Sequence, residues 1–150
     1  MSFSLFSVIF NQSKLLGIIM KISNKTRYGV QALVYLAQKD DTCPLKEIAQ
    51  EENISFSYLE KIFAALKKAG LVKVKRGFRG GYFLSKKPKN ISVAEIFRVL
   101  EGGTTIISCQ KGDHKCQKQK DCLVKPFWKK LEETFQKTLK STTLFNLINK

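Results

Sequence analysis

Residues 54–84 read ISFSYLEKIFAALKKAGLVKVKRGFRGGYFL, and the hydrophobic period changes halfway along them. Leu59, Ile62, Phe63 and Leu66 recur at i, i+3, i+4 and i+7, the spacing that puts one apolar face on a helix. Ser57 followed by Glu60 has the capping-box pattern, and Gly70 marks the helix end. Beyond it, Leu71, Val72 and Val74 alternate with Lys73 and Lys75, and Tyr82, Phe83 and Leu84 form a second β-prone run. Gly77, Gly80 and Gly81 between the runs supply the backbone freedom of a hairpin tip. The stretch therefore predicts an amphipathic helix followed by a basic β-hairpin.

Upstream, Tyr28, Ala32, Leu33, Leu36 and Ala37 predict a helix over 24–38, broken at Asp40 and Asp41. Pro44 suits a helix start, where its missing N–H is not needed, and Leu45, Ile48 and Ala49 give a short second helix its apolar stripe. Asn53 permits the turn into the third helix. A short helix, a tight turn and an amphipathic helix make a helix-turn-helix, and the hairpin adds a wing. Downstream, Ser92 and Glu95 repeat the capping-box pattern and open a fourth helix, which Gly102 and Gly103 stop. Residues 104–121 lack periodicity and read as a loop. From about Leu123, the positions Trp128, Leu131, Phe135 and Leu139 predict a long aromatic helix with little domain left to cover it, expected to pack against a partner; packing against the first helix is the alternative.

The expected architecture is mainly α with a small β-hairpin wing: a winged helix-turn-helix DNA-binding domain plus a long C-terminal dimerisation helix. Its expected divisions are a poorly ordered extension over 1–19, the winged domain over 20–102, a cysteine loop over 103–122, and the dimerisation helix and tail over 123–150. Patterned folding begins at Met20, which is the expected start of the native protein.

The formal net charge is +15, and nine Lys or Arg but no Asp or Glu fall between Lys67 and Lys89. Clustered cations favour a polyanionic partner, because neutralising neighbouring phosphates releases bound counterions. Nucleic acid fits better than an anionic membrane. A lysine-rich composition is the plain alternative for the surplus. The apolar opening segment is interrupted by Asn11, Gln12, Ser13 and Lys14, which counts against a membrane span, and it lacks the basic n-region and small-residue cleavage site of a signal peptide, so the expected location is cytoplasmic. No nucleotide loop or acid/base constellation points to an enzyme.

The N-terminal part of a recognition helix reaches base edges in the major groove, which makes Ser55, Ser57, Tyr58, Glu60 and Lys61 candidate DNA contacts. Glu60 repels phosphate unless it accepts from a cytosine amino group; otherwise it only closes the cap. Arg76 and Arg79 flank the wing tip, suited to a narrow minor groove or to phosphates. In CQKGDHKCQKQKDC, Cys109, Cys116 and Cys122 are separated by six and five residues. Thiolates at such spacing could hold an iron–sulfur cluster or zinc, with His114 as a fourth zinc ligand, or act as reactive thiols. Cys43, apart from them, reads as an ordinary thiol.

Taken together, MKISNKTRYGVQALVYLA from Met20, the SYLE-containing helix, the glycine-rich wing and the cysteine triplet closely resemble the IscR/NsrR-type family of bacterial winged-helix iron–sulfur regulators. The likeness runs from about Met20 to Lys140. It implies a homodimer, crossed by its C-terminal helices, on palindromic promoter DNA; such a regulator is expected to be a repressor, for which competition with RNA polymerase is one route. It implies Ser55, Ser57, Tyr58 and Glu60 as recognition contacts and Arg76 as a wing contact. Cys109, Cys116 and Cys122 would be ligands of a 2Fe-2S or 4Fe-4S cluster sensing iron or cluster status, redox or nitric oxide. The alternative is a winged-helix regulator switched by zinc, thiol chemistry or a protein partner. The chain departs from the family pattern in three places. Six residues rather than the frequent five separate its first two cysteines. Lys125 stands where one branch has a ligating histidine. Arg27 stands where another has a ligating aspartate, which leaves the fourth ligand unassigned.

Overall fold

A computed structural model describes residues 22–107 and 120–149. Helix α1 (Asn24–Lys39) is capped by Ser23, whose hydroxyl accepts from the Thr26 N–H, and ends where Asp40 turns left-handed. Thr26, Gly29, Leu33 and Leu36 form its buried face, and a Cβ on Gly29 would strike the Leu100 side chain. Glycine there lets α1 lie close against α4. Helix α2 (Leu45–Glu51) buries Leu45, Ile48 and Ala49, and Asn53, at φ 52°, makes the turn into α3 (Phe56–Lys68).

Leu59, Ile62, Phe63 and Leu66 are all fully buried, as their spacing predicts. The helix start differs from the expected one. Ser55 is the N-cap, and its carbonyl accepts from Tyr58 and Leu59. Ser57 thus lies inside the first turn, and the Ser57–Glu60 capping box does not form. A box requires its serine at the cap and its glutamate three residues on. Ser57 instead shares a 3.2 Å hydrogen bond with the Ser55 hydroxyl.

Gly70, at φ 75°, turns the chain into strand β1 (Val72–Lys75), which pairs antiparallel with β2 (Gly81–Leu84) in the register Val72 to Leu84 and Lys75 to Gly81. After a short 3₁₀ turn at Pro88–Asn90 comes α4 (Val93–Glu101), with both halves of the Ser92–Glu95 capping box present and Gly102 at its left-handed end. Helix α5 (Lys125–Ser141) buries only Leu139 outright. It rests on α4 through Phe97 and Phe135, whose rings meet edge to face at 6.0 Å.

Helix α6 (Leu144–Ile148) is an element that periodicity did not reveal. Leu144 is completely buried in the main core, and its N–H donates to the Ile91 carbonyl at 3.0 Å. Among the described residues, no helix is long and apolar enough to cross a membrane.

Candidate nucleic-acid interface and cysteine loop

The buried stripe of α3 dictates its outer face. With 59, 62, 63 and 66 inside, Ser57, Glu60, Lys61, Ala64, Lys67 and Lys68 face solvent. Ser55 is exposed at the N-terminal end beside them. Tyr58 is half-buried and meets the Tyr28 ring edge-on at 6.0 Å, so its body braces α3 against α1. Among the described residues, no side-chain hydrogen bond or ion pair engages the Glu60 carboxylate. Phe56, 46% exposed at the first position of the helix, belongs to the same surface and was not singled out by the sequence reading. A phenyl side chain carries no charge or hydrogen-bonding group by which sequence would assign it to such a surface.

The wing is docked on the same helix. Phe63 of α3 packs edge-on against Tyr82 of β2 at 4.9 Å, which fixes the hairpin beside the helix. Lys73, Lys75, Arg76 and Arg79 are exposed. Of the nine cations between 67 and 89, Lys86 pairs with Glu95 at 3.1 Å, while the other eight have no carboxylate partner among the described residues. An unneutralised field of this kind draws phosphate.

A polar cluster holds the first two helices together behind the interface. The Tyr35 hydroxyl donates to Glu47 at 2.9 Å, and Lys39 lies 3.1 Å from the same carboxylate and over the Tyr35 ring. Lys39 and Tyr35 together hold the Glu47 carboxyl below its ordinary value. Cys43, beside them, is buried, and burial, reinforced by Glu47, pushes its thiol up to about 11.

Cys109, Cys116 and His114 lie outside the described residues. Cys122 is half-buried just ahead of α5, and its carbonyl accepts from the Lys125 N–H. Among the described residues, it is not in a disulfide, and no three Cys, His, Asp or Glu side chains gather to hold a metal. Cys122 is thus the one expected ligand among the described residues, and its thiolate is a soft donor of the kind that zinc and iron–sulfur centres take. The chain entering the loop is also fixed. Ile106 and Ile107 donate to Glu132 at 3.1 and 3.3 Å, and Thr104 and Gln136 exchange two hydrogen bonds. Ile106 and Ile107 are thus held at Glu132 and Cys122 at Lys125, positions about 10 Å apart along the α5 axis.

This arrangement recurs in known proteins. The family model Rrf2, described as iron-dependent transcriptional regulator, matches residues 22–150. The chain is 36% identical over 132 residues to the HTH-type transcriptional regulator IscR of Klebsiella pneumoniae, covering 87% of this chain and 80% of that protein. The structure of CymR, the global cysteine regulator of B. subtilis, superposes with a TM-score of 0.73 at 37% identity, covering 87% of this chain and 97% of CymR. That of T. potens IscR superposes with a TM-score of 0.69 at 37% identity, covering 89% and 88%. These relatives are named regulators rather than enzymes, and they share the winged-helix framework described above. The chain belongs to the Rrf2 family and is a DNA-binding transcriptional regulator of the IscR type.

Proposed function

We propose that this regulator binds palindromic promoter DNA as a cytoplasmic homodimer and represses by competing with RNA polymerase. An iron–sulfur cluster on Cys109, Cys116 and Cys122 would set its operator affinity. The observation that carries the DNA-binding mode is that Ser55, Ser57, Glu60, Lys61, Arg76 and Arg79 are all exposed, on a helix and the hairpin packed against it, among cations without carboxylate partners among the described residues. Ser55, Ser57 and Lys61 would meet base edges and phosphates. Glu60, free of the cap, would accept from a cytosine amino group. Tyr58 holds the helix angle through Tyr28 and leaves its half-exposed edge for the backbone. Arg76 and Arg79 would follow the adjacent minor groove.

A bound cluster supplies a local charge and a set of bonds that change with iron supply, redox state or nitric oxide. The chain's own contribution is the anchoring of the loop. Glu132 and Gln136 hold Thr104, Ile106 and Ile107, and Cys122 leads into α5, so a centre bonded to Cys109, Cys116 and Cys122 would bias how α5 sits on α4 through Phe97 and Phe135. In a dimer joined through α5, that bias alters the spacing of the two recognition helices. A coupling of ~1–3 kcal/mol corresponds to a change in operator affinity of about 5- to 150-fold.

Two measurements test the proposal. Anisotropy titrations over a salt series should show promoter DNA bound well above random DNA, with Arg76→Ala and Arg79→Ala each lowering the salt slope by about one. Unchanged affinity and slope in both variants would remove the wing from the mechanism. Anaerobic purification should give a coloured protein with iron and sulfide. A colourless protein with stoichiometric zinc would replace the cluster by a zinc switch, and one without metal would leave thiol chemistry or a protein partner.

A further inference from the structure

The hairpin tip exposes one residue that neither packing nor charge explains. Phe78 is 106% exposed, while Arg76 and Arg79 stand on either side of it in sequence. Phe78 and Arg79 are the central residues of the turn Gly77–Gly80, closed by the Gly80 N–H donating to the Gly77 carbonyl at 2.9 Å. Gly77 is at φ 118°, and a Cβ on Gly80 would strike the carbonyl oxygens of Lys75 and Gly77. The turn is therefore tight, and its two central residues form the apex of the wing.

The cations around that apex select its partner. Between 67 and 89 there is no acidic residue, and Lys73, Lys75, Arg76 and Arg79 are all exposed. This charge suits nucleic acid. A phenyl ring gains nothing from phosphate, but it can enter between bases. Apolar wedges inserted from the minor groove unstack a base step and bend the duplex, and neighbouring arginines favour the negative potential of a narrow groove.

We propose that Phe78 is a DNA wedge: when the wing enters the minor groove, the ring inserts at one base step per half-site, partly unstacks it and bends the operator. Such insertion favours pyrimidine–purine steps, which unstack most readily, so Phe78 adds sequence preference at a position without base hydrogen bonds. The inference rests on the wing-to-DNA reading above and adds a step that phosphate contact alone would not produce.

The test uses the full-length protein purified anaerobically and duplexes enriched from a random pool by the wild-type protein. These carry 2-aminopurine at successive steps and a dye pair at the ends. Wild-type protein should raise 2-aminopurine fluorescence at one step per half-site and shorten the dye separation. Phe78→Ala should abolish both, weaken binding by roughly tenfold or more, and leave the salt slope unchanged because no charge is lost. Phe78→Leu, which keeps a wedge, should retain part of the signal. Arg79→Ala should lower the salt slope while keeping the fluorescence change. All variants should melt like the wild type, since Phe78 has no packing to lose. If wild-type protein binds its enriched duplexes and Phe78→Ala matches it in affinity, fluorescence and bend, the wedge is wrong and the DNA reading stands. If the wild type enriches no sequence, the DNA-site reading fails and the wedge falls with it.

Discussion

Cys43 and Tyr82 exchange both backbone hydrogen bonds, the Cys43 N–H donating to the Tyr82 carbonyl at 2.9 Å and the Tyr82 N–H to the Cys43 carbonyl at 2.8 Å. The loop before α2 thereby acts as a one-residue third strand on the wing. The wing base is tied at once to α3 through Phe63 and to the start of the helix-turn-helix through Cys43, so helix and hairpin present one surface.

Gly81 makes that seam possible. A Cβ there would strike the backbone of Cys43 and Pro44. Gly81→Ala should lower stability by ~1–3 kcal/mol, measured by urea unfolding, because backbone cannot give way as a side chain can. Operator affinity should fall as well, since the wing loses its fixed angle. Wild-type stability in Gly81→Ala would show that the seam flexes freely.

The two described thiols should differ sharply in reactivity. Cys43 is 2% exposed with its thiol pushed up to about 11 by burial and by Glu47, whereas Cys122 is half-buried. At neutral pH, a rise of about two pH units leaves roughly a hundredfold less thiolate. Timed alkylation of metal-free native protein, read by peptide mass spectrometry, should label Cys122 well before Cys43. Urea should remove the difference.

Stability should decline on the acid side. Burial pulls Glu101 up, but hydrogen bonds from Ser23 and Thr26 outweigh it and leave the carboxyl below its ordinary value. At Glu95, burial is likewise outweighed by the Ser92 backbone N–H and by Lys86. Carboxyls lowered in the folded state stabilise it above the unfolded value of about 4.3, and that contribution is lost as pH falls through the folded values. The melting temperature should therefore drop progressively below about pH 5, and Glu101→Gln should flatten that limb. Ser92→Ala should cost ~1 kcal/mol at neutral pH through loss of the cap.

The N-terminal half of α5 should be a subunit interface. Just ahead of α5, Leu123 is 96% exposed and Val124 54%, and in its first turn Phe127 is 60% exposed and Trp128 36%. Phe127→Asp should convert a dimer into a monomer by light scattering and weaken operator binding by about a hundredfold or more, through loss of the linked second half-site. Trp128, the sole tryptophan, should shift its emission to the red in that variant. A variant that stays dimeric with unchanged emission would move the interface elsewhere.

Much of the molecule was legible from residue order. The stripe Leu59, Ile62, Phe63 and Leu66 fixed which side of α3 is buried, and so which residues face outward. Gly70, Gly102, Asn53 and the Ser92–Glu95 pair act within a few residues of themselves, and each behaves as its chemistry dictates. The start of α3 was misplaced by two residues because Ser55 and Ser57 both qualify as caps, and only the turn entering from Asn53 chooses between them. Helix α6 was missed because five residues are too few to display a period.

Residue order by itself determined helices α1 to α5 apart from the start of α3, the hairpin, the basic charge between 67 and 89 and the cysteine spacing, because these depend on local propensity and composition. Tertiary structure alone decided that Gly29 admits Leu100, that Cys43 is stitched to Tyr82, that Glu132 holds the entry to the cysteine loop and that Leu144 completes the core. Those contacts join residues distant in the chain. They exist only once apolar faces have met, and a local pattern records that a face is apolar without recording which face it will meet.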